Sequence, residues 1–224
     1  QPITQDALAE PTWTPIAAAP EPIDAIQTIV DLEFVVLEAL NIEMGFPMQH
    51  LFMSDGNNSV VRPVEITSDL LAQSIYNSTD EVPFDYIEPP FDVGPYPKGE
   101  SLGFTFQDWI NATGEGTYIQ RGSRADVELS FEQLVPNAVY TLWWSKITLP
   151  EFEIIEEKPW WERVGSENIF TSDFNVYGDI SLTSNALPTS TDKLIYELAI
   201  AYHNDGQTYG ESVGVHGKNV HVHM

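Results

Sequence analysis

The sequence predicts a mainly β protein: a Greek-key or jelly-roll-like antiparallel β-sandwich with an extended N-terminal arm and one or two short helices. Three observations carry this expectation. From residue 102 onward the chain is a succession of short segments that alternate apolar and polar residues, such as "ADVELSFEQL", "AVYTLWWSKI" and "KLIYELAIAY". That period of two is what a half-buried strand requires. Turn-forming groups, "GEG", "RGSR", "PN", "YGD" and "NDGQ", lie between them, and no helical pattern intervenes.

Taken in order, residues 1–24 hold five prolines and little periodicity. Proline removes backbone donors and favours extended geometry, so this stretch reads as an arm. Residues 25–101 read as a helix and loop region that packs on the sandwich. Within it, Ile26, Ile29, Val30, Phe34, Leu37 and Leu40 recur at helical spacing, which predicts a helix over 25–40, although the β-branched content would also suit a long strand. After "SDGNNS", a turn, "VVRPVEI" predicts a strand that Pro63 pushes toward an edge. "SDLLAQSIY" predicts a short helix with a serine N-cap. Residues 80–101 carry five prolines and several aromatics and read as a long ordered loop.

Residues 102–224 form the expected sandwich domain, with strands at "LGFTF", "GTYIQ", "ADVELSFEQL", "AVYTLWWSKI", "FEIIE", "NIFTSDF", "DISLTS", "KLIYELAIAY" and "NVHVHM". In the eighth, Leu194, Tyr196, Leu198, Ile200 and Tyr202 share one face, and Ile195, Glu197, Ala199, Ala201 and His203 share the other. "LVPNAVYTLWWSKI", followed by "AYHNDGQTYG" and a closing histidine strand, resembles secreted prokaryotic β-sandwich proteins that carry a Pro-Asn-x-x-Tyr-Thr-Leu-Trp strand and a C-terminal Tyr-His-x-Asp-Gly turn. The resemblance covers roughly residues 102–224 and implies a sandwich fold and an exterior location; it implies no activity.

Composition narrows the partners. The chain has 224 residues and a formal charge of -25, from 9 Lys+Arg against 34 Asp+Glu spread along its length. Such a field repels nucleic-acid phosphate and anionic lipid and suits a cation-rich exterior. There is no cysteine, which excludes disulfides, thiolate metal sites and thiol catalysis. No uninterrupted apolar run has membrane length, so a spanning helix is not expected. The chain begins with Gln1, and we expect a processed, secreted, periplasmic or cell-surface protein. Asn57, Asn77 and Asn111 head N-x-S/T sequons.

Candidate chemistry is sparse. His221 and His223 are two apart on the last expected strand and therefore point the same way, opposite to Val220, Val222 and Met224. With His216 or His203 they could supply a three-nitrogen set for copper or zinc; the alternative is that the valines face inward and the histidines face water. Met44, Met48 and Met53 surround His50 and could hold Cu(I), or could simply fill gaps in a core. The turns "SDGNNS", "TSDFNVYGD" and "HNDGQ" offer oxygens suited to calcium, yet no EF-hand pattern is complete, and such residues favour turns without a metal. Trp143-Trp144 and Trp160-Trp161 could provide a sugar-stacking platform or could lie covered by other segments. No nucleophile elbow, phosphate loop or His-Glu-x-x-His helix is present.

Three functions follow in order of expectation. The first is a non-enzymatic secreted or cell-surface structural protein, which assembles with other protein subunits, its own copies or different ones, through its arm and sandwich. The second is a secreted copper- or zinc-binding sandwich using His203, His216, His221 and His223. The third is a carbohydrate-binding module whose partner is a glycan.

Overall fold

The computed structural model describes residues 26–36, 39, 51–63, 67–77, 94–160, 168–173, 175–203, 206–208, 210 and 221–223. Two antiparallel sheets face each other as a sandwich. The first runs in the order β1 (Ile26–Glu33), β7 (Thr113–Arg121), β8 (Arg124–Glu132), β12 (Gly178–Asn185). The second runs β10 (Ile154–Pro159), β9 (Val139–Thr148), β13 (Leu194–His203), β14 (His221–His223), with β11 (Ile169–Thr171) also on β9. Strands β8, β9, β12 and β13 alternate between the sheets along the chain, the crossing pattern of a Greek-key sandwich. Among the described residues no helix is long and apolar enough to cross a membrane.

A third, smaller sheet collects β5 (Tyr96–Pro97), β3 (Ser59–Val61), β2 (Phe52–Ser54), β4 (Ser74–Tyr76) and β6 (Ser101–Thr105), in that order. Its buried side chains join the sandwich in one core. The link is aromatic: Trp109, on the short helix α1 (Phe106–Ile110), meets Tyr202 of β13 edge-on at 6.1 Å. Buried Arg62 lies over the rings of Phe52, at 5.3 Å, and Tyr96.

The sequence pattern misleads at two places. The helix expected over 25–40 is a strand over Ile26–Glu33, which pairs with β7 from Thr28↔Gln120 to Glu33↔Glu115. Ile26, Thr28, Ile29 and Val30 are β-branched, and the available pairing partner outweighs a helical period that arises by coincidence. A bulge between Ile26 and Thr28 precedes this regular stretch. The helix expected in "SDLLAQSIY" shrinks to one turn, held by Leu70 N–H on Thr67 O at 3.0 Å and Gln73 N–H on Leu70 O at 2.9 Å. The chain then enters β4, where Ile75 is fully buried. So few residues do not repay helix nucleation.

Conversely, α1 follows "LGFTF" without having been expected. Thr105 caps it: its hydroxyl accepts from Asp108 N–H, and the Asp108 side chain accepts from Thr105 N–H in return. The "RGSR" turn behaves as read, since Arg121 and Arg124 pair across a two-residue connection in which Gly122 takes φ 62.

Aromatic packing fixes the core. Phe170 stacks on Phe131 at 5.5 Å and on Tyr140 at 5.2 Å. Gly114 on β7 leaves room for this layer, because a Cβ there would lie 2.7 Å from the Phe131 ring. Tyr140, wholly buried at the start of β9, accepts the Val135 N–H on its hydroxyl at 2.9 Å. A tyrosine that bonds back to the chain just upstream pins a corner between strands of a sandwich. Burial pushes its phenol well above the ordinary range.

Candidate functional site

Two features stand out on the sandwich: the open side at β1, and a polar seam on the outer face of the second sheet.

β1 is the edge of the first sheet, and among the described residues no strand pairs with its far side. Phe34 N–H bonds Gly114 O at 3.3 Å, so even-numbered residues turn their amides toward β7. The alternation then turns the amides of Ile29, Asp31 and Glu33 toward the open edge. The side chains are unusual for an edge: Ile29 is 57% exposed, Val30 41%, and Val35, just past the strand, 56%. Natural edges are commonly blunted by charge, proline or bulges. Here the devices are Asp31, Glu33 and the bulge near Gln27, and they leave an apolar centre uncovered.

Beneath this edge the two sheets part into a cleft of about 650 Å³. Val30, Leu32 and Phe34 of β1 form one wall with Tyr118, Leu129 and Phe131, while Leu142, Tyr196, Leu198 and Ile200 form the other. Tyr118 is held in place by stacking on Trp160 at 6.0 Å and by accepting the Leu187 N–H at 2.8 Å. An apolar cleft under an open strand edge can accept further chain or an apolar ligand.

The second feature lies on β9, which is buried on both faces. Its outward residues Thr141, Trp143, Ser145 and Ile147 are all covered. The Thr141 hydroxyl accepts the Trp143 indole N–H at 2.7 Å and stands 2.7 Å from His203 Nε2. His203 is therefore a buried, hydrogen-bonded core residue, 3% exposed, and not a histidine on a wet face. Two residues along, Ser145 sits between Glu157 of β10 and Glu197 of β13, with both as its register partners. Its hydroxyl donates to Glu157 Oε1 at 3.3 Å. Glu197 is exposed to solvent, yet its carboxyl stands close enough to the sheet to lose part of its water. That loss of water, reinforced by the negative charge of Glu157, pushes its pKa up to about 7.

The expected metal residues meet this structure unevenly. The register sets His221 opposite His203, and His223 opposite Ala201. His216 lies outside the described residues, as do Met44, Met48, His50 and Met224. Met53 is in β2 and fully buried in the core. Among the described residues no group of three or more His, Asp or Glu side chains is arranged to hold a metal ion. The Asp55 turn uses its carboxylate internally: Oδ1 accepts Asn57 N–H at 2.7 Å and Ser59 N–H at 3.2 Å, and these bonds lower its pKa. Asp173 likewise accepts Tyr177 N–H at 2.9 Å.

Of the tryptophan pairs, Trp143 and Trp160 are buried. Trp144 is half-buried on the inner face, tilted against Tyr196 at 6.1 Å with Lys158 above its ring at 5.8 Å. Trp161 lies outside the described residues. Sequence reasoning had no signal for Thr141, Ser145, Glu157 or Glu197 as neighbours, because only the strand register brings them together.

Comparison with protein-family models, with curated proteins and with solved structures yields no match to this chain.

Proposed function

We propose that the chain is a non-enzymatic structural or assembly protein of the cell exterior, which joins other subunits through its N-terminal arm and the edge of its sandwich. One observation carries this reading: β1 ends the first sheet with Ile29 and Val30 exposed, above an apolar cleft. Exposed apolar residues along an unpaired strand are a template for strand addition. Residues 1–24 precede this strand in the sequence, which is why the reading includes the arm beside the edge. The exterior location draws on the lack of cysteine, the charge of -25 and the resemblance to secreted prokaryotic sandwiches.

The test is to delete residues 1–24 and compare particle mass with the full chain by light scattering. The proposal expects the full chain to form multimers and the truncated chain to lose mass. An unchanged monomer in both would overturn it.

A second reading, a secreted copper- or zinc-binding sandwich, draws on the β13–β14 register that sets His221 against His203. Residues directly opposite on antiparallel strands are close neighbours. A metal there would compete with Thr141 for His203 Nε2 or use the other ring nitrogen. Copper titration of the full chain tests it.

A further inference from the structure

We infer that β1 is a self-complementary edge, at which two copies of this chain pair antiparallel about Ile29 and join their first sheets into one. This rests on the assembly reading above and names its partner.

The argument begins with register. In a two-fold antiparallel pair each residue meets its mirror position, and paired residues share a face. Centring on Ile29 sets Ile29 against Ile29 on the outer face. On the inner face it sets Thr28 against Val30, within the regular stretch that follows the bulge. Ile29 then faces its own copy and Val30 faces Thr28, and no acid of the regular stretch faces an acid. Moving the centre to Asp31 opposes Asp31 to itself, and moving it to Leu32 opposes Asp31 to Glu33, both of which like-charge repulsion disfavours. Centring on Val30 sets the most exposed apolar residue of the strand, Ile29, against Asp31 and desolvates that carboxylate. The outward amides of Ile29 and Asp31 supply the ladder.

The chain outside the described residues fits the same partner. Antiparallel pairing brings the start of each copy's β1 beside the end of the other's. At that end Val35 is exposed and the cleft opens, and in the sequence 25 residues precede Ile26. One strand pair alone falls short of the roughly 1,200 Å² that a specific interface buries, and the 25 residues before Ile26 are further chain available to such an interface. Charge sets the conditions. Two chains of -25 repel at low ionic strength, and salt relieves the repulsion as the screening length falls from about 30 Å at 0.01 M to about 3 Å at 1 M.

The absence of native cysteine allows a direct test with single-cysteine variants of the full chain. Purified Ile29→Cys, Thr28→Cys, Val30→Cys and, as an exposed control, Phe152→Cys are oxidised with oxidised glutathione at 0.5 M NaCl. Directly paired residues lie within disulfide reach, so Ile29→Cys should cross-link to a dimer roughly tenfold faster than Phe152→Cys. Thr28→Cys and Val30→Cys should be slow alone and fast when mixed with each other. If Ile29→Cys cross-links no faster than the control while the parent is multimeric by light scattering, the pairing is overturned and the assembly reading survives. If the parent is monomeric throughout, both fall.

Discussion

The Thr141 hydroxyl stands 2.7 Å from His203 Nε2 and accepts the Trp143 indole N–H at the same distance, in the buried part of the seam on the outer face of the second sheet. One hydroxyl thus satisfies two buried nitrogen groups from two strands. It also explains why His203 tolerates burial, since a buried polar group with its hydrogen bond made incurs little desolvation penalty.

Thr141→Val keeps the shape and removes the hydroxyl. The Trp143 N–H and His203 Nε2 lose their shared partner, at a cost on the order of 2–4 kcal/mol. Urea denaturation should show a lower midpoint, and Thr141→Ser should recover most of the loss. Equal midpoints for the valine variant and the parent would mean that the seam contributes nothing.

Tyr140→Phe deletes the acceptor of the Val135 N–H and leaves that amide buried. The expected loss is about 1–3 kcal/mol, read from the same denaturation midpoint. The ring stacking on Phe170 persists, so the variant should fold and show an unchanged far-UV spectrum.

Glu197 gives the protein a pH dependence of definite sign. Its folded pKa, about 7, lies above the ordinary glutamate value of 4.5, so the folded state holds this proton more tightly than the unfolded chain does. Its contribution is present below pH 4.5 and is lost as pH rises through about 7. Glu197→Gln should therefore match the parent in melting temperature at pH 4 and exceed it at pH 8. Equal melting temperatures at both values would contradict the shift, and so would a variant less stable at pH 8.

If the β13–β14 histidines bind copper, a His221→Ala, His223→Ala variant should lose the d–d absorption that the parent gains on titration with Cu(II). Binding by the parent should weaken below about pH 6, where imidazole protonates. Equal binding by the double variant would place any copper elsewhere.

The strands after residue 102 were legible because they alternate cleanly and are bounded by turn residues, and "RGSR" even disclosed its hairpin. The closing "HVH" was legible as a strand for the same reason. β1 was not, because Ile26, Ile29, Val30 and Phe34 satisfy a helical period as well as a strand, and only the pairing with β7 decides. α1 had a readable signal in Thr105 and Asp108, three apart, the spacing of a capping box. The neighbours of Ser145 were hidden for a different reason. Glu157 and Glu197 are distant in sequence, and a shift of one residue in either register would send them to the opposite face. His203 stood on the face expected of it. What alternation could not tell is that this outer face is also covered.

The central claim is that the molecule assembles through the β1 edge, and the most direct measurement is its mass in solution. Light scattering at 0.5 M NaCl should give the full chain a mass that is a multiple of 25.1 kDa, while Ile29→Lys, with an unchanged melting temperature, should return to 25.1 kDa. Identical masses for the two proteins would contradict the account.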